Sequence, residues 1–211
     1  MAGNPFGVNR VPPGSHDAPL LVERLHRWRS GGALQLPRFD KTLRDGAGDR
    51  VVEAPGSESA TTIDALVLEG WLMGCRPLGA AGLRAAGVAP GMELAAGLAP
   101  LGLEEAAWLP HWDRQLEAYG PLFDQCDGLW VLRPLHWALP KRWRFQAEAR
   151  QRRLQRQRHK ADGWLKPAEL DRLVRSSLAS LPPRLYQEPL TAQAKSSAQL
   201  NGRRRCINIE G

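Results

Sequence analysis

The chain has 211 residues, 43% hydrophobic and 24% charged, which suits one good-sized soluble domain or one with a small appendage. A net charge of +7 and a pI near 9.9 point to anionic partners: phosphate esters, nucleotides, carboxylates or nucleic acid. Cys75, Cys126 and Cys206 have no CxxC spacing and the histidines no metal-ligand spacing, which argues against a disulfide framework or a zinc site; with no secretory apolar core and no run long enough to span a bilayer, a cytoplasmic protein is expected.

Residues 1–16 are rich in Gly, Pro and Asn and read as loop. Leu20, Leu21, Leu25 and Trp28 then recur at helical spacing, with Ser15 or Asp17 as N-cap and Gly31-Gly32 as the stop. His16 and Asp17 therefore lie at a helix N-terminus, where anions are favoured, although capping alone also accounts for the Asp. A short strand is expected at 33–36, followed by Pro37-Arg38-Phe39-Asp40-Lys41 and a loop to Gly46-Ala47-Gly48-Asp49-Arg50. Lys41 and Arg50 can grip a carboxylate or phosphate, Arg as a bidentate fork and Lys as a point charge. Asp40 can hold a hydroxyl or a metal-bound water. A solvated mixed-charge surface loop is the competing reading. Residues 51–60 read as a flexible connection.

In residues 61–77, Ile63, Ala65, Leu66, Val67 and Leu68 make a short apolar run that ends in Glu69-Gly70. Such a run predicts a strand buried on both faces of a parallel sheet. Glu69 would then sit at the strand's carboxyl end, where ligands collect in open α/β sheets, or be an ordinary carboxylate in a turn. The Ala/Gly/Leu/Pro-rich stretch 79–102 reads as a low-complexity insertion or irregular linker. Ala107, Leu109, Trp112, Leu116, Tyr119 and Phe123 mark the apolar side of a helix, and 128–132 a buried strand. A very basic helix is expected over 139–160, within a lid-like region 139–165. Another runs over 167–181, with Leu170, Leu173, Val174 and Leu178 on one face, before Pro182-Pro183; a last strand falls at 206–209. Alternating strands and helices predict an α/β fold with a parallel sheet, one domain over 1–211. Arg142, Arg144, Gln146, Glu148 and Arg150 on the basic helix fit a mobile lid over nucleotide phosphates; the same run also fits a nucleic-acid footprint or a solvated face.

Taken in order, these segments resemble the D-glycerate 3-kinase family, a branch of the P-loop kinases. The matching pieces are Gly14-Ser15-His16-Asp17, Pro37-Arg38-Phe39-Asp40-Lys41, Gly48-Asp49-Arg50, Leu68-Glu69-Gly70-Trp71 with Gly74, Trp143-Arg144-Phe145-Gln146-Ala147-Glu148, and Leu181-Pro182 with Leu185-Tyr186. The resemblance implies a P-loop kinase-like fold and transfer of the ATP γ-phosphoryl group to the 3-hydroxyl of D-glycerate, with Mg²⁺. It implies Glu69 and Asp40 as catalytic carboxylates, Glu69 holding magnesium through water. Lys41, Arg50, His16 and Asp17 would form the glycerate pocket, and Arg142, Arg144, Gln146 and Glu148 the nucleotide lid. ATP and D-glycerate are the implied partners. A nucleic-acid-binding module is the alternative, but charge does not explain PRFDK, GDR or LEGW.

The sequence departs from the family in several places. Phe39 replaces Tyr, Thr42 replaces Ser, residues 79–102 are longer than expected, and Lys160-Ala161-Asp162-Gly163-Trp164 replaces a Gly-Met turn. There is no GxxxxGK(S/T) phosphate loop and no Gly-Lys pair, so the N-terminal phosphate-loop strand and helix of the fold are expected to be missing. These residues alone are therefore expected to bind ATP weakly or not at all, through a displaced start, a truncated gene or a separate chain that supplies the loop; a non-catalytic remnant is a further reading. Two apolar strands are expected to be left with unpaired edges.

Overall fold

The computed structural model describes residues 3–8, 10–40, 43, 44, 48–51, 64–156 and 166–211. Helix α1 (Ala18–Arg29) starts where the sequence indicates: Asp17 is its N-cap, a side-chain oxygen accepting from the Leu20 amide at 3.2 Å, and Pro19 pre-sets its first turn. Gly31 follows with φ of 89°, a left-handed turn that ends it. Helix α2 (Gly79–Ala85) precedes α3 (Leu103–Gln115), which continues through a 3₁₀ turn at Leu116–Tyr119 into the short α4 (Gly120–Phe123). Basic helix α5 (Leu139–Arg156), α6 (Pro167–Ser180), the short α7 (Pro183–Tyr186) and a 3₁₀ turn at Glu188–Ala192 complete the helices of the described residues.

Two small sheets accompany them. Strands β1 (Phe39–Asp40) and β2 (Asp49–Arg50) pair antiparallel, Phe39 opposite Arg50 and Asp40 opposite Asp49. Strand β3 (Trp130–Pro134) pairs in parallel with β4 (Ser196–Leu200), which pairs antiparallel with β5 (Cys206–Glu210) in the order β3-β4-β5. The α/β class is as expected, but the sheet is mixed rather than wholly parallel.

Three local expectations are corrected. Residues 33–36 form no strand; buried Leu34 makes an isolated bridge, and the described strand begins at Phe39. The described part of the apolar run, 64–69, is not a strand either: Leu66 and Leu68 pack on the core, while Val67 is 84% exposed. Among the described residues no strand pairs with it, so the alternation of a half-buried segment survives without a ladder. Residues 79–102 are not a linker: they form α2 and bury Leu83, Leu94, Ala95 and Leu101.

The core gathers around α3. Trp112 is fully buried and stacks on Phe6 at 5.8 Å, while Leu109, Leu116, Leu101, Leu94 and Leu181 close around it. Arg175 of α6 clasps this layer from the side: its Nε donates to Glu105 Oε1 at 2.8 Å, and its other nitrogens donate to the Ala99 and Pro100 carbonyls, each at 2.7 Å. All three cysteines are free thiols. Burial of Cys75 pushes its thiol pKa up to about 12, leaving an inert packing group beneath the Leu72–Gly74 turn.

A buried acid holds three pieces together. Asp113, 3% exposed, accepts from the Leu78 amide and the Tyr186 hydroxyl through Oδ1, each at 2.7 Å, and from the Gly79 amide through Oδ2 at 2.9 Å. Burial first, then this hydrogen bond and the carboxylate charge, raise the Tyr186 pKa and keep the hydroxyl protonated. Tyr186→Phe removes one of three donors to a buried carboxylate and should cost about 1–3 kcal/mol. Asp113→Ala orphans two amides and a hydroxyl at once and should cost more. Urea unfolding followed by circular dichroism checks this order of midpoints: wild type, then Tyr186→Phe, then Asp113→Ala.

Candidate active site

The N-terminal loop is pinned before α1 begins. The Tyr119 hydroxyl, on the 3₁₀ turn after α3, accepts from the Gly14 amide at 3.2 Å and lies 3.0 Å from His16 Nδ1. The hydroxyl can both donate and accept, so this contact ties the imidazole to Tyr119 in either neutral tautomer. Gly14 must be glycine: its φ is +85°, and a Cβ would meet Gln115 Oε1 at 2.6 Å. Burial raises the Tyr119 pKa, partly opposed by the amides of Gly14 and His16.

Two of the sequence motifs meet here. Asp17 uses one oxygen to cap α1 and the other to accept from Arg50 Nη1 at 3.0 Å. Arg50 arrives on β2, whose hairpin is locked by Val51 N to the Arg38 carbonyl at 2.9 Å and Arg44 Nε to Asp49 at 2.7 Å. Asp40 stands opposite Asp49 on β1. His16, Asp17, Asp40 and Arg50 are thus carried by one α1 N-terminus and one hairpin. The Arg50 and Asp17 side chains are each about half open to solvent, so their pair is a weak tether and their unused hydrogen-bonding positions face outward. Lys41 lies outside the described residues.

The other predicted residues fall elsewhere. Glu69 is exposed and, among the described residues, has no hydrogen-bond or ion-pair partner. The turn after it is well held: the Trp71 carbonyl accepts from Gln187, and Gly74 (φ +83°) packs where a Cβ would meet Leu129 at 2.9 Å. On α5, Arg142, Arg144 and Gln146 are exposed and Glu148 is half-buried. That helix is anchored near its start: Trp143 Nε1 donates to the Gly202 carbonyl at 3.2 Å, Arg204 donates to the Trp143 carbonyl at 2.7 Å and covers its ring, and Lys141 pairs with Asp171 of α6 at 2.5 Å.

One feature was not read from sequence. At the carboxyl end of β3, a cavity of about 200 Å³ is lined by Arg133, His136, Trp137, Glu188 and Gln199, with Trp137 Nε1 donating to Glu188 Oε1 at 2.8 Å. The signal available was position alone: Arg133-Pro134-Leu135-His136-Trp137 follows a strand end.

No protein-family model matches the chain. Its sequence is similar to the chloroplastic D-glycerate 3-kinase of Arabidopsis thaliana, 29% identical over 151 residues, which is 69% of this chain and 29% of that protein. It is also similar to mug58, an uncharacterized kinase of Schizosaccharomyces pombe, 27% identical over 148 residues, covering 69% of this chain and 50% of that one. Among solved structures, D-glycerate 3-kinase from Cryptococcus neoformans var. grubii serotype A superposes with a TM-score of 0.75 at 24% identity, over 99% of this chain and 71% of that chain. The YGR205w protein gives 0.68 at 20% identity, over 98% of this chain and 68% of that one. The fold is therefore an α/β fold shared with these two solved structures. The resemblance to the D-glycerate 3-kinases is found in sequence and in structure, and the chain spans half or less of the curated relatives it matches.

A magnesium–ATP site asks for backbone amides around the phosphates, a lysine on the β/γ oxygens and a hydroxyl on the metal. These 211 residues contain no such loop, and among the described residues no group of three or more His, Cys, Asp or Glu side chains is placed to hold a metal ion. The residues present do not by themselves fit a complete magnesium–ATP site.

Packing around the His16 ring lowers its pKa below the ordinary histidine value. The unfolded chain then binds a proton more readily than the folded one, so stability from this site is present above about pH 6.5 and is lost as pH falls towards the folded pKa. His16→Asn keeps an acceptor but cannot titrate. The thermal midpoint of wild type should fall further than that of His16→Asn between pH 7.5 and pH 5.5 in a scanning fluorimetry series.

Proposed function

We propose that these residues form the acceptor-binding and lid part of a kinase of the D-glycerate 3-kinase type, which transfers the γ-phosphoryl group of ATP to a hydroxyl of D-glycerate in the cytoplasm. One observation carries the reading: Asp17 and Arg50, 33 residues apart in two separate motifs of the resemblance, are joined by a hydrogen-bonded ion pair, and Arg50 lies on the strand that pairs with the strand of Asp40. Arg50, with Lys41, is assigned the glycerate carboxylate, which can share or displace Asp17 on the guanidinium. His16 and Asp17 shape the pocket from the start of α1. Asp40 is assigned the acceptor hydroxyl, and Glu69 the carboxylate that would hold magnesium through water.

Arg142, Arg144, Gln146 and Glu148 are assigned the lid. The anchoring of α5 through Trp143 and Lys141, with Arg204 of the basic turn engaged on Trp143, supports a packed lid rather than a nucleic-acid footprint. Phosphoryl transfer depends on positioning and charge neutralisation, and without a phosphate cradle these residues alone are expected to bind ATP weakly.

D-glycerate titrated into the 211-residue chain should give saturable quenching of tryptophan fluorescence. Arg50→Ala should weaken binding about tenfold or more, the loss of a charge-assisted hydrogen bond. Arg142→Ala should leave it unchanged. Equal affinity in Arg50→Ala, or no saturable binding by wild type, overturns the assignment.

A further inference from the structure

Val131 on β3 and its partner Ser197 on β4 lie on the covered face of the sheet, Val131 packed on the core and Ser197 6% exposed. Strand side chains return to one face every second residue, so the next pair along that face is Arg133 and Gln199, which are register partners. Core packing stops there. Both are only half-buried, and both line the cavity at the carboxyl end of β3. Among the described residues, neither side chain has a hydrogen-bond or ion-pair partner.

The other walls are fixed without them. The Leu135 amide donates to the Leu200 carbonyl at 2.8 Å, which holds the turn after β3 against the end of β4. The Arg184 amide donates to the Leu94 carbonyl at 3.2 Å, which ties α7 to the segment that carries Ala96. Leu190, 7% exposed, roots the 3₁₀ turn that carries Glu188. Trp137 Nε1 donates to one Glu188 carboxylate oxygen, and the other oxygen has no partner among the described residues. A cation and an anion therefore line one small cavity without meeting each other.

Charges partly withdrawn from water are stabilised by groups of opposite sign, and a guanidinium beside a primary amide offers several donors to a carboxylate. We infer that this cavity binds a zwitterionic α-amino acid with an apolar side chain. Its carboxylate is held by Arg133 and Gln199, and its ammonium by the free oxygen of Glu188. Its side chain packs on Ala96, Leu135 and the indole of Trp137. A volume of about 200 Å³, below the roughly 300–1,000 Å³ of drug-sized ligand pockets, suits so small a molecule. A phosphate ester or a simple carboxylate would leave Glu188 facing an anion. The cavity shares no residue with the α1 N-terminus and hairpin, and the inference does not rest on the kinase reading.

The test titrates L-leucine into the labelled 211-residue chain and follows the indole N–H resonance of Trp137, which reports the Glu188 end of the cavity. A saturable shift is expected, with the amides of Arg133, Leu135 and His136 moving alongside. Isocaproate, which lacks the ammonium, and isoamylamine, which lacks the carboxylate, should each bind about tenfold or more weakly. Arg133→Gln should weaken L-leucine by a similar factor while leaving isoamylamine and the D-glycerate titration unchanged. Glu188→Gln, which keeps an acceptor for Trp137, should weaken L-leucine while leaving isocaproate unchanged. Those unchanged affinities separate ligand contact from a general loss of structure. No saturable shift with L-leucine, an analogue that binds as tightly as L-leucine, or a Trp137 resonance that answers to ATP instead overturns the inference.

Discussion

Asp113 is a carboxylate with almost no solvent, and its burial is tolerable only because three donors converge on it. The donors come from two distant parts of the chain. Leu78 and Gly79 are the free amides at the start of α2, so an acid on α3 caps a helix that its own sequence leaves uncapped. Tyr186 brings in α7, whose backbone carbonyl also meets the Cys75 thiol at 3.9 Å. The start of α2 and the Pro182–Tyr186 corner are held by one side chain, and Cys75 joins the turn before α2 to the same corner. This gives a physical reason for the Leu-Tyr pair in the late motif: the tyrosine's hydroxyl completes a buried carboxylate.

The candidate acceptor site depends on a similar arrangement with less burial. Tyr119, 3% exposed, sits at the base of the loop and fixes Gly14 and His16 from below. Asp17 then has its two oxygens directed, one to the helix amide and one to Arg50. The site is made of parts that are individually weak: a half-exposed ion pair, a two-residue hairpin and a cap. Its placement comes from the buried layer of α3 and the 3₁₀ turn behind it.

Local signals were legible and cooperative ones were not. The start of α1 could be read because an N-cap is a short-range interaction between Asp17 and Leu20. The face of α6 could be read because Leu170, Leu173, Val174 and Leu178 share a period. Strand β4 was missed because Ser196-Ser197-Ala198-Gln199 is polar; it pairs because β3 and β5 flank it. The 65–68 run misleads in the opposite sense, since apolar composition alone does not make a strand without a partner ladder. Residues 79–102 look like low complexity because Ala, Gly and Leu repeat, yet Leu94 and Leu101 are fully buried by contacts from far along the chain. Asp113 gave no signal at all: an acid within an amphipathic helix reads as solvated until its neighbours are known. Within the site, the motifs named the residues, while the Asp17–Arg50 contact and the cavity beside Arg133 and Glu188 needed the fold.

The account turns on where a small hydroxy acid binds. The most direct measurement is an amide chemical-shift map of the labelled chain during titration with D-glycerate. The account predicts shifts concentrated at Gly14–Asp17 and across β1 and β2, with little change at Arg133, His136 and Glu188. Shifts centred on the Arg133–Glu188 cavity, with the α1 N-terminus and hairpin silent, would contradict it.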